Sequence, residues 1–128
     1  MKTLVFLVAM LVVASILTVQ AGAGPLDGTT FQAEIKDMGK AQGDSDTLVF
    51  ADGKFRSMAG DAHGFDAASY KATQAGNAWT FTAETRSPTR GTITWRGTIK
   101  GNVIEGTATR SKDGKTEGEQ VFLGAIKR

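Results

Sequence analysis

Cysteine is absent from this 128-residue chain, and histidine occurs once, at His63. Without cysteine there are no disulfides and no lipidated-cysteine anchor, and a lone histidine leaves a thin ligand set for zinc. No dense Lys/Arg cluster interleaved with aromatics is present, so the electrostatic footprint of nucleic-acid binding is missing. Beyond the N-terminus, no stretch longer than a turn or two holds a 3.6-residue apolar period, which excludes a helical domain. What remains is a chain whose apolar residues alternate.

One stretch does not alternate. Met1-Lys2-Thr3 is a short basic start, and the sixteen residues from Leu4 to Val19 are almost wholly apolar. Small residues follow, in Gln20-Ala21-Gly22-Ala23-Gly24. A basic, then apolar, then small-x-small order describes a secretory signal peptide, and the run falls short of the ~20 residues that span a bilayer. Two cleavage registers fit, after Ala21 or after Ala23, so residues 1–23 are read as the leader and 24–128 as one domain. No membrane span is expected in the mature chain. An exported domain of this size without disulfides must be stabilised by packing and sheet hydrogen bonds alone.

Thr92 to Ala108 shows the alternation most clearly. Ile93, Trp95, Gly97 and Ile99 share one face, Lys100-Gly101-Asn102 turns the chain, and Ile104, Gly106 and Ala108 resume the pattern. Six further strands follow the same logic: Thr30 to Lys36, Thr47 to Ala51, Lys54 to Ala59, Ala67 to Thr73, Ala78 to Thr85 and Glu119 to Ile126. Asp52-Gly53 between two apolar runs marks a tight hairpin. On the third strand Phe55, Ser57 and Ala59 are expected to face inward and to shrink toward its end. Asp37 to Asp46 and the charged Ser111 to Gly118 read as loops, and Gly24 to Gly28 as a loose lead-in.

Eight short strands joined in sequence order imply an all-β fold, an up-and-down antiparallel barrel closed at the strand number where side chains fill the interior or surround one small ligand. A two-sheet β-sandwich is the alternative. Aromatic-x-Gly-x-aliphatic spacing recurs at Trp95-Gly97-Ile99 and Phe122-Gly124-Ile126, and such glycines let strands coil and admit a facing ring.

The W-R-G-T-I-K-G-N-V-I-E-G-T run from Trp95 and the closing F-L-G-A-I resemble the C-terminal hairpins of calycin-like barrels, the group that includes lipocalins and avidins. They also resemble short exported bacterial domains of uncharacterised function. The resemblance covers the last third of the chain. It implies a barrel that carries a small molecule or docks its loops into a protein target. The Gly-x-Trp signature of lipocalins is not met, since Asp27-Gly28-Thr29-Thr30-Phe31 has no tryptophan.

Candidate ligand-binding residues are Tyr70, Trp79, Phe81 and Trp95, whose rings converge if their strands form one wall. The competing reading is that these rings simply fill the interior. His63 beside Asp61 has the residue types of acid–base work, but no nucleophile or paired carboxylate accompanies it. Asp44 and Asp46, with Asp37 and Asp52 nearby, miss the calcium-loop spacing. The acids and bases are unevenly placed: eight against four from Asp27 to Asp66, then five against ten from Ala67 to Arg128. Arg86, Arg96 and Arg110 contribute to this basic wall, which fits an anionic surface as partner or, as the competing reading, ordinary solubility.

The expectation is therefore an exported, periplasmic or extracellular, monomeric and non-enzymatic barrel with no cofactor or metal. Its partner is a small apolar molecule or a protein. No nucleic acid is involved.

Overall fold

The computed structural model describes residues 24–128, and the leader read at residues 1–23 lies outside them. Eight antiparallel strands close into a single barrel in sequence order: β1 (Thr29–Asp37), β2 (Asp44–Ala51), β3 (Lys54–Ser57), β4 (Ala68–Ala75), β5 (Ala78–Ser87), β6 (Gly91–Lys100), β7 (Val103–Lys112) and β8 (Lys115–Ile126). β8 returns to pair with β1, from Phe31 opposite Ile126 to Asp37 opposite Gln120, so the sheet has no free edge. The sandwich alternative is thereby excluded.

Closure depends on where the sheet has no side chain. Gly97 and Gly106 are register partners on β6 and β7. A Cβ at Gly106 would lie 2.0 Å from the Arg96 carbonyl oxygen and 2.7 Å from the Phe122 ring, and one at Gly97 would lie 2.6 Å from the Phe81 ring. Both glycines face inward, and the space they leave is taken by Phe81 and Phe122. Gly124 plays a similar part on β8, with a Cβ position 2.7 Å from Ala33. The aromatic-x-Gly-x-aliphatic spacing is thus a packing device. It lets bulky rings from neighbouring strands cross the lumen.

Phe50 sits at the centre of the interior. Its ring lies 5.0 Å from those of Tyr70 and Phe81, 5.2 Å from Phe55 and 6.3 Å from Phe31, mostly edge-on. Phe55 continues to Trp95 at 4.9 Å, and Trp95 to Phe122 at 5.6 Å. Such tilted and T-shaped pairs contribute about 0.5–1.5 kcal/mol each beyond their area burial. Leu48 and Ile104 complete a core from which water is shut out.

Five local expectations are corrected. β2 begins at Asp44 and β5 runs on to Ser87, because Asp46, Thr85 and Ser87 keep the inward parity of their strands although they are polar. β3 ends at Ser57, and Met58–Ala62 forms one turn of helix, α1. The Ser57 hydroxyl accepts from Gly60 N at 2.9 Å and so caps this turn, which leaves Ala59 exposed instead of inside. Ser111 to Gly118 is no loop: β7 and β8 meet at Asp113-Gly114, both at positive φ, with a register shift at Arg110/Ser111. The lead-in is also ordered, as Leu26 is buried and closes one end of the barrel.

Gly106→Ala, which meets immovable backbone, should destabilise the barrel by about 1–3 kcal/mol in urea unfolding. Gly118→Ala, which meets nothing within 4 Å, should change stability by less than about 0.5 kcal/mol.

Candidate functional site

The two ends of the barrel differ in kind. At one end the lead-in Gly24 to Gly28 folds across the strand ends, held by Gly28 N donating to the Phe50 carbonyl at 2.8 Å. Asp27 ties this plug down. Its carboxylate accepts from Gly24 N at 2.8 Å, from Gly53 N at 3.0 and 3.1 Å, and from the Tyr70 hydroxyl at 2.8 Å. The Tyr70 oxygen in turn accepts from Leu26 N at 2.9 Å. These donors, the Gly24 amide foremost, hold Asp27 below the usual carboxylate range despite partial desolvation. Desolvation and then the Asp27 contact push Tyr70 up to about 12.

The opposite end is open. A cavity of about 280 Å³ lies there, floored by Trp95, Ile93, Ala108 and Phe65, with Ile35 on the β1 side. Its rim is polar. Asp37 and Asp44 stand at the β1–β2 connection, Arg90 at the β5–β6 turn, Arg110 and Gln120 on β7 and β8, and His63 just past α1. In an eight-strand ring the β1–β2 connection and the β5–β6 turn are half a circumference apart. Asp37 and Asp44 thus face Arg90 across the mouth, whereas Arg110 on β7 lies only two strands from β1.

Buried polar groups set the shape of this mouth. The Asp46 carboxylate, 4% exposed, accepts from the Ser57 hydroxyl and from Ala59 N at 2.8 Å. That pins α1 to the barrel rim. Phe65 N donates to the Gly60 carbonyl at 2.9 Å and Asp66 N to the Arg86 carbonyl at 3.1 Å, which carries the chain across to β4. Trp95 Nε1 donates to Thr85 Oγ1 at 3.1 Å, fixing the indole as part of the floor. No buried side-chain polar atom among the described residues lacks a partner.

Against this geometry the four sequence-derived ligand residues separate. Phe81 is 2% exposed and lies in the packed aromatic core. Tyr70 and Trp79 are half-buried against that core, and the Tyr70 hydroxyl is committed to the plug. Only Trp95 also lines the open cavity. The fold gathers all four into one aromatic body without enclosing a hollow between them, because Phe50, Phe55 and Phe122 occupy that space.

His63 lines the mouth, but Asp61 does not orient it, since the Asp61 carboxylate pairs with Arg56. Asp52 lies at the plugged end, away from Asp44 and Asp46, so the acids do not gather. No group of three potential metal ligands assembles among the described residues. Nor, among them, is any helix long and apolar enough to cross a membrane.

The residues that sequence reasoning missed are Asp46, Thr85 and the plug pair Asp27–Tyr70. The first two carried a usable signal: each sits two positions beyond an inward residue on its strand. The plug pair spans 43 residues of sequence and left no local trace. No protein-family model, curated protein or solved structure matches the chain.

Tyr70 is the only tyrosine, so phenolate absorbance near 295 nm reads this one residue. The expected midpoint is about 12 in the folded protein against 10.0 when unfolded. Folding favours the neutral phenol, so its contribution is complete below about pH 10 and disappears as pH rises through the folded value. Tyr70→Phe should cost about 1 kcal/mol in urea unfolding and abolish the shifted titration. A folded-state midpoint near 10 would contradict the plug geometry.

Proposed function

We propose that this chain is an exported, non-enzymatic β-barrel that binds a small molecule in its mouth, over Trp95, in the periplasm or outside the cell. The observation that carries the reading is the division of the barrel: one end is sealed by Leu26, the middle is packed with rings, and an apolar-floored cavity remains at the other end. Its volume lies at the lower bound of ligand pockets, about 300 Å³, which suits a compact molecule. The floor suits an apolar or planar body, and the rim of Asp44, Arg90 and His63 suits a polar head. The calycin-like character suggested by the C-terminal hairpins agrees with a barrel that binds at an open end.

A second reading rests on the filled interior. If the mouth is only a dimple over a solid core, the protein acts by docking its rim loops and α1 into another protein. Met58 on α1 and Met38 in the β1–β2 connection, both exposed, would then be contact residues.

The two readings separate on one experiment. Trp79→Phe leaves Trp95 as the sole tryptophan, because the chain has only two. Protein purified from its own host should carry a bound mass in native mass spectrometry, and removing that mass should shift Trp95 emission. Ala108→Phe, which fills the cavity, should weaken retention at least ~10-fold while the barrel stays folded. Absence of bound mass together with unchanged Trp95 emission would reject the small-molecule reading in favour of docking.

A further inference from the structure

We infer that the chain is processed between Ala23 and Gly24, and that the new α-ammonium group of Gly24 becomes the cationic partner of Asp27 in the plug. This rests on the export reading above, and it gives a structural reason for one of the two cleavage registers that fit the leader.

Three observations carry it. First, the Gly24 nitrogen already donates to Asp27 Oδ2 at 2.8 Å, the contact an N-terminal ammonium would make at that position. Second, the Asp27 carboxylate is surrounded by neutral donors: two backbone amides and a phenol. Among the described residues no Lys, Arg or His side chain pairs with it. These donors already stabilise the ionised carboxylate, and turning one of them into a cation strengthens the contact further, because a charge-assisted hydrogen bond exceeds a neutral one in strength. Third, position 24 is fitted closely to the plug. A Cβ there would lie 2.2 Å from the Tyr70 hydroxyl oxygen and 2.5 Å from its Cζ, so only glycine lets the backbone at this position pass so close to Tyr70 while its nitrogen meets Asp27.

Cleavage is a hydrolysis by a leader peptidase of the host. The Ala23–Gly24 C–N bond breaks, and water gives its hydroxyl to the Ala23 carbonyl carbon and a hydrogen to the Gly24 nitrogen. The amine then takes up the proton that the new carboxylic acid releases. Before cleavage the nitrogen is a neutral amide with one hydrogen. Afterwards it is an ammonium with three, enough to keep the Asp27 contact and meet water as well. Removal of the leader thus strengthens the seal on the closed end, and the barrel reaches full stability only once it has been exported.

The sign of the pH dependence follows. An α-amino group has an unfolded pKa of about 7.7–8.0, and pairing with a carboxylate raises it in the folded state. The gain is therefore complete below about pH 7 and is lost as pH rises through the folded value.

The test expresses the full chain in an export-competent bacterial host and weighs the exported product. A mass beginning at Gly24 is expected. A product that is exported but begins at Gly22 overturns the inference and leaves the export reading intact, whereas a chain that keeps its leader and stays inside the cell overturns the export reading itself. Stability provides the second arm. The form starting at Gly24 should melt about 1–5 °C above the form starting at Gly22 at pH 6.5, by the usual worth of a partly exposed ion pair in a domain of this size. The difference should vanish near pH 10 and should be absent in the Asp27→Asn pair. Should Asp27→Asn fail to fold, the pH dependence alone decides, and an equal melting temperature for the two forms at both pH values rejects the ammonium–carboxylate pair.

Discussion

The structure depends on a backbone contact. Gly97 and Gly106 face each other across β6 and β7 with no side chain on the lumen side, and this absence lets Phe81 and Phe122 cross the interior. Sheet closure and core packing are therefore a single constraint. Without the two glycines the rings cannot enter, and without the rings an eight-strand sheet would surround a void that a chain lacking disulfides has little means to stabilise. The Phe50-centred cluster is the energetic consequence of that opening.

From this constraint the difference between the two ends follows. Once the rings fill the middle, each end must be finished separately, and polar residues do so at both. Asp27 gathers donors from the lead-in, the β2–β3 turn and β4, and shuts one end over Leu26. Asp46 gathers the Ser57 hydroxyl and the first turn of α1, and holds the other end open beside Trp95. A buried or half-buried carboxylate is stable only when such donors satisfy it. Two aspartates of similar local chemistry thus build a plug at one end and a rim at the other, and the proposed ligand site is what the rim leaves uncovered.

Much of the fold was legible because alternation depends only on local parity. Phe31, Phe50, Phe81, Trp95 and Phe122 fall on the inward faces the period-2 pattern assigns, and the glycine spacing pointed to closure. The misreadings share a physical cause. Apolar alternation marks a strand only where it is lined by apolar residues, so Asp46 and Ser87, which are inward but satisfied by hydrogen bonds, fall outside the strands that alternation predicts, and Thr85 stands at the end of one. The β7–β8 hairpin was hidden for the opposite reason: Ser111 to Gly118 stands largely clear of the core, so neither face needs apolar residues. The site was less legible still. Trp95 was named, but whether a ring lines a cavity or fills one depends on what stands across the lumen. Tyr70 and Asp27 meet only after closure, and no local pattern announces a contact of that range.

The barrel interior is solid toward the plug, and the proposed ligand site lies at the mouth alone. Methyl NMR on protein carrying whatever it binds in its host, before and after that molecule is stripped, tests this most directly. Methyl signals of Ile35, Ile93 and Ala108, which line the cavity, should move on stripping. Those of Leu26 and Ile104, buried in the core, should stay in place. Shifts concentrated at Leu26 and Ile104 would place the ligand in the body of the barrel and contradict it.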